Sequence, residues 1–138
     1  MFEAIHNVMH LYRAQQYRAL REAPLELTHM EGKALGFFAR RPGATLSDLV
    51  AHSGRDKGQL ARLIGGLRER GLLDARADAG DRRTLRLQPT ARGRALQASL
   101  GERAHRVADV AVSGLSASER RQLLELLARV RANLEDAG

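Results

Sequence analysis

The sequence contains no cysteine. Disulfides, thiolate metal sites and a thiol-based oxidant switch are thereby excluded, and nothing supports an oxidising compartment. It also lacks any apolar run near the roughly 18 residues that a membrane helix requires. Its first residues, MFEAIHNVMHLYR, carry an acid and histidines where a signal peptide would have an uninterrupted apolar stretch. These absences point to a soluble, cytoplasmic protein with no membrane partner. Catalytic signatures are missing as well. There is no GxxxxGK phosphate loop, and Ser113-Gly-Leu-Ser116 is not a nucleophile elbow. His6 and His10 stand at i, i+4, the separation of two metal ligands on one helix face. No Glu follows His6, however, and no third ligand can be placed, so a pair of polar positions on a helix is the commoner reading. We expect no enzyme activity, no metal and no cofactor.

What the chain does have is a core's worth of apolar residues and an uneven charge. Its 138 residues, 43% of them hydrophobic, suit one domain with a buried interior. The net charge is +7, and its location is informative. Residues 1–54 carry 6 Lys and Arg against 5 acids, and residues 95–138 carry 6 against 6. Residues 55–94 carry 11 against 5, so nearly all of the excess falls in this middle segment. A basic run can be no more than a solvated face. Concentrated around a helix with distinctive punctuation, it points to a polyanionic partner.

The helix starts are legible. Thr28-His-Met-Glu31 and Ser116-Ala-Ser-Glu119 match the capping box, in which two side chains satisfy each other's backbone N–H groups. Thr45-Leu-Ser-Asp48 and Asp56-Lys-Gly-Gln59 are near variants. Pro24, Pro42-Gly43, Gly54, Gly71 and Pro89 mark the stops. Between these signals, apolar spacing predicts helices over about 2–21, 29–40, 46–52, 57–70, 91–112 and 117–135. The period changes at Leu72–Ala77 and Arg83–Gln88, which read as two strands around the turn Asp78-Ala-Gly-Asp81. The expected fold is mainly α, an α+β arrangement. A winged helix-turn-helix with a two-stranded wing occupies about 28–96. The helices of about 1–21 and 97–138 carry apolar stripes outside that unit, and a helical dimer interface is preferred to purely intramolecular packing.

From Thr45 to Leu96 the sequence resembles the MarR family of bacterial transcription regulators. The residues that carry the likeness are TLSDLVAHSGRDKGQLARLIGGLRERGLL and then DARADAGDRRTLRLQPTARGRAL. The sharpest signature is the wing motif Asp-x-Arg, here Asp81-Arg82-Arg83, and the order of helices is similar along nearly the whole chain. The resemblance implies an obligate homodimer on double-stranded DNA at a pseudopalindromic operator, usually a repressor. It also implies release by a small effector, often an anionic aromatic bound between the dimer helices and the winged unit.

On the fourth helix, helical spacing collects Leu60, Leu63, Ile64 and Leu67 on the core side. Gly58, Arg62, Gly65, Gly66 and Glu69 fall opposite, with Lys57, Gln59 and Ala61 on the shoulders. The N-terminal residues of a recognition helix reach base edges, where Arg bonds guanine and Gln bonds adenine. Lys57, Gln59 and Arg62 are therefore the candidate major-groove contacts, although Gln59 has a rival role in its capping box. Arg55 and Arg68 are phosphate candidates. In the wing, the family motif assigns Asp81 and Arg83 to the minor groove, the carboxylate holding the guanidinium in one orientation, while Arg82 and Arg86 suit phosphates. For an effector, Arg13 and Tyr17 at i, i+4, with His10 one turn earlier, would suit an aromatic carboxylate; a surface ion pair or packing is the plainer alternative. The pair Gly65-Gly66 leaves two readings: the helix approaches the duplex closely, or binding leans on the wing. A nucleic-acid binder of architectural type, without operator preference, is the competing function.

Overall fold

A computed structural model describes residues 1–23 and 25–138, so the stop assigned to Pro24 lies outside the described residues. The elements are α1 (Phe2–Arg21), α2 (His29–Arg40), α3 (Leu46–Ser53), α4 (Lys57–Glu69), β1 (Leu73–Ala77), β2 (Leu85–Pro89), α5 (Ala91–Ala111) and α6 (Ala117–Asp136). This is a mainly helical winged helix-turn-helix fold. The chain divides into two units, Met1–Ala104 and His105–Gly138, with the division falling inside α5.

Local chemistry explains most element boundaries. Thr45 and Asp48 form a complete capping box, the Thr45 N–H donating to Asp48 Oδ2 at 2.8 Å. Ser116 and Glu119 form another. The box expected at Thr28–Glu31 closes only in part. Thr28 Oγ1 accepts from the Glu31 N–H, but the Glu31 carboxylate bonds the Thr28 hydroxyl and Arg70 instead of the Thr28 backbone. Gly54 ends α3 at φ 66°, a left-handed conformation in which a Cβ would be strained, and this makes the tight turn into α4.

The strands begin later than the sequence suggests. Leu72 donates to the Leu67 carbonyl and accepts from Thr90, so it closes the end of α4 and leaves β1 to start at Leu73. At the other end, Asp81 accepts from the Arg83 N–H and the Thr84 hydroxyl, which keeps residues 81–84 in a turn and delays β2 to Leu85. The strands pair antiparallel, Leu73 opposite Pro89 and Ala77 opposite Leu85, and an isolated bridge joins Ala44 to Leu87.

The core of the first unit gathers Leu35, Phe37 and Phe38 of α2, Leu49 of α3, Leu60, Ile64 and Leu67 of α4, Leu72, Leu73 and Leu87 around the hairpin, and Leu96 of α5. Burial of these side chains supplies the main driving force, each contributing roughly 1.5–3 kcal/mol. The junction with α5 is close: a Cβ on Gly93 would lie 2.1 Å from the Leu72 carbonyl oxygen. Thr90 supports this approach, its hydroxyl donating to the Gly71 carbonyl at 2.6 Å and accepting from the Gly93 N–H at 3.0 Å. In the second unit, Arg120 donates to the carbonyls of Leu115 and Val112 and so ties the start of α6 to the turn before it. Neither α1 nor α6 has a fully buried residue. Among the described residues, no helix is long and apolar enough to cross a membrane.

Candidate nucleic-acid interface

The helix-turn-helix is α3, the turn at Ser53–Asp56, and α4. Leu60, Ile64 and Leu67 are 1%, 6% and 0% exposed, and they seat α4 on the core. Leu63 packs at the edge of the same cluster. Arg62 lies on the opposite side with Lys57 and Gln59 on the shoulders, and these three and Arg68 are all exposed. Gln59 keeps its side chain free of the capping role: Asp56 Oδ2 accepts from the Gln59 N–H at 2.9 Å, and the amide makes no bond to a described residue in return. A Cβ on Gly65 or Gly66 would meet nothing within 4 Å. The fold therefore places no steric demand for glycine at either position. Arg55, also exposed, precedes the helix, and its N–H donates to Ser53 Oγ.

The wing turn is organised by two carboxylates. Asp78 Oδ2 accepts from the N–H groups of Gly80 and Asp81 at 3.0 Å each, while Oδ1 accepts from Arg86 Nε at 2.6 Å. The Arg86 bond and then the two amides hold the Asp78 carboxyl below its ordinary pKa. Asp81 differs from the expectation that it would orient the Arg83 guanidinium. Its Oδ1 accepts from the Arg83 backbone N–H at 3.0 Å, so it shapes the turn rather than the side chain. The physical reason is reach: a carboxylate two residues back in a tight turn meets the main-chain N–H first. Arg82 and Arg83 consequently extend from the turn, exposed and without a side-chain hydrogen bond to any described residue. Arg86 is engaged at both Asp78 and the Gly43 carbonyl.

The effector candidates are separated. Tyr17 lines a cavity of about 770 Å³ together with Leu20, Leu27, His29, Glu31 and Arg70. Its ring lies 5.0 Å from that of His29, tilted by 49°. Arg13 does not line the cavity, but its charge reaches His29, whose pKa is lowered by burial first and then by Lys33, Arg13 and Arg55. His10 is exposed on α1, outside the cavity. His6 is exposed too, and no group of three or more His, Asp or Glu converges among the described residues.

Two cavity residues escape sequence reasoning. Arg70 Nη1 pairs with Glu31 Oε2 at 2.5 Å, and Nη2 donates to the Glu26 carbonyl. This clamp joins the end of α4 to the start of α2 across 39 residues of chain, beyond the range of any local motif. His29 gives no signal either, because one histidine at a helix start carries no pattern.

Comparison with known proteins agrees with this geometry. Residues 25–84 match the model described as the MarR family. Among solved structures, the chain is similar to an S. aureus MepR mutant, with a TM-score of 0.87 at 20% identity over 97% of this chain and 98% of that one. It is similar to Streptococcus pneumoniae FabT in complex with DNA, with a TM-score of 0.83 at 20% identity over 99% and 96%. Wild-type MarR from E. coli, in its apo form, gives 0.76 at 22% identity over 94% and 96%.

Proposed function

We propose that this chain, whose residues 25–84 match the model of the MarR family, is a DNA-binding transcription regulator, a homodimeric repressor of a pseudopalindromic operator, released by a small anionic aromatic ligand. The observation that carries the reading is the state of its basic side chains. Lys57, Arg62 and Arg68 on α4, and Arg82 and Arg83 on the wing, are exposed and make no ion pair with a described residue. Arg70 and Arg86 beside them are committed to partners within the fold. The uncommitted set occupies the two elements of a winged helix-turn-helix that meet the major and minor grooves.

In this reading Lys57, Gln59 and Arg62 read base edges, Arg83 enters the minor groove, and Arg55, Arg68 and Arg82 neutralise phosphates. Arg83→Ala lowers DNA affinity without loss of fold. Arg62→Ala lowers discrimination between sequences more than general affinity. Dimerisation is supported by side chains that a lone chain leaves in water: Phe2, Val8 and Leu11 of α1 are 57%, 63% and 65% exposed, and Leu124 and Leu134 of α6 are 68% and 61% exposed. Release is supported by the cavity that Tyr17 and His29 line, where two aromatic rings stand beside the cation of Arg21. A footprint on the DNA flanking its own gene tests the proposal. A short symmetric protected site, lost on adding an aromatic carboxylic acid, is expected. Uniform coating of the fragment would establish the architectural alternative instead.

A further inference from the structure

Arg86 stands on β2 directly opposite Arg76 on β1. Like charges at facing positions of a hairpin repel, so an arginine here needs compensation. Its Nε donates to Asp78 Oδ1 at 2.6 Å, and its Nη1 donates to the Gly43 carbonyl at 3.0 Å. Asp78 in turn holds the N–H groups of Gly80 and Asp81 on its other oxygen. One guanidinium thus joins the wing turn to the segment between α2 and α3, which leads into the helix-turn-helix. The base of the hairpin is secured separately, by backbone bonds from Gly43 N–H to the Leu87 carbonyl at 2.8 Å and from Leu87 N–H to the Ala44 carbonyl at 2.9 Å. Farther out, those bonds end. Among the described residues, Arg86 is the only side chain that hydrogen-bonds residues 78–84 and also the body of the unit. It lies along a groove of about 590 Å³ whose wall includes Arg41, Gly43, Asp48 and His52.

We propose that Arg86 is a positioning residue: bridging Asp78 and Gly43, it sets the angle at which the wing stands to the helix-turn-helix. It thereby sets the distance between the major-groove and minor-groove contacts of one half-site. The inference rests on the reading that the wing contacts DNA. A direct phosphate role fits the geometry less well. Two of its three nitrogens are occupied, and a carboxylate at hydrogen-bond distance offsets the charge that a phosphate would seek.

The test compares Arg86→Gln, Asp78→Asn and the double variant on a duplex that the wild-type protein selects from a random-sequence library. Each single variant is expected to weaken binding by a similar factor, on the order of tenfold for a lost charge-assisted hydrogen bond. The double variant is expected to be no weaker than either. The slope of log K against log salt is expected to be the same in the two single variants, because both act through the angle of the wing. A phosphate contact made by Arg86 itself would lower that slope by roughly 0.9 in Arg86→Gln and not in Asp78→Asn. Wild-type affinity in Asp78→Asn, or a slope lowered in Arg86→Gln but not in Asp78→Asn, overturns the proposal. Should Arg86→Gln fail to fold, Arg86→Lys keeps the charge but lacks the fork that spans two acceptors. Weakened binding by that variant supports the bridge, and unchanged binding overturns it. Arg83→Ala separates the two claims. If it binds like wild type, the wing reading itself fails; if it alone weakens binding, only the positioning role fails.

Discussion

Leu60, Ile64 and Leu67 press α4 onto the core at 1%, 6% and 0% exposure, whereas residues 79–83 of the wing turn are all exposed. The helix is placed by apolar burial, which is non-directional and indifferent to pH. The turn is placed by hydrogen bonds to Asp78 and Asp81, which are directional and depend on ionised carboxylates. Two surfaces of one winged unit therefore have different vulnerabilities. Damage beneath α4 unfolds the unit, while damage in the wing turn changes a shape and leaves the fold standing.

The strongest way to break the comparison is Leu67→Ala. A fully buried leucine truncated to alanine costs about 2–5 kcal/mol, and urea unfolding should show the loss for the whole winged unit. A wing that outlasts α4 in that experiment would mean that the two are less coupled than their shared core suggests. Gly93→Ala strikes the junction on which both depend, since its Cβ would lie 2.1 Å from the Leu72 carbonyl. Overpacking of this kind costs about 1–3 kcal/mol, and a backbone oxygen, which cannot rotate away, puts the expected value at the upper end. Thermal denaturation checks it, and a Tm equal to wild type would show that α5 can shift to make room.

On α4 itself, Gly65→Ala and Gly66→Ala should raise stability by up to about 1 kcal/mol each, because a Cβ there meets nothing within 4 Å. DNA affinity decides what the glycines are for. A fall in affinity despite the added stability identifies close approach to the duplex, and unchanged affinity shifts the weight to the wing.

The smallest effect on global stability is the most local. The folded-state pKa of Asp78 lies below its ordinary 3.8, so its contribution is fully present above that value and is lost as the pH falls through the folded value. Asp48, held down by its capping bonds with Thr45, follows the same sign, and the readout must therefore be local. On acidification, the Gly80 and Asp81 amides should lose hydrogen-exchange protection before those of Leu60 and Ile64. Asp78→Asn should reproduce that selective loss at neutral pH. Simultaneous loss at all four amides would mean that packing, not Asp78, holds the turn.

Much of this arrangement is legible in the amino-acid order. Thr45–Asp48 and Ser116–Glu119 cap helices because both partners lie three residues apart, and the Leu60–Leu67 stripe is equally local. The exposed positions of Lys57, Gln59 and Arg62 follow from helical spacing alone. The role of Asp81 departs from expectation for a reason of scale, since its choice between a guanidinium and a backbone N–H depends on turn geometry finer than residue spacing. The cavity beside Tyr17 is only half legible. Tyr17 lines it, but Arg13 does not, because the cavity is closed by residues of α2 and the end of α4 that no pattern on α1 could announce.

By itself, the amino-acid sequence determined the helices and their caps, the hairpin, the basic middle of the chain and the stripe that seats α4. All of these arise from interactions within about one turn of helix or one hairpin. Tertiary structure alone decided which cations remain uncommitted. Arg70 and Arg86 resemble Arg62 and Arg83 in sequence, yet the first two meet Glu31 and Gly43 from 39 and 43 residues away. Chain folding created those partners by bringing distant segments together, and the same folding left Arg62 and Arg83 facing outward.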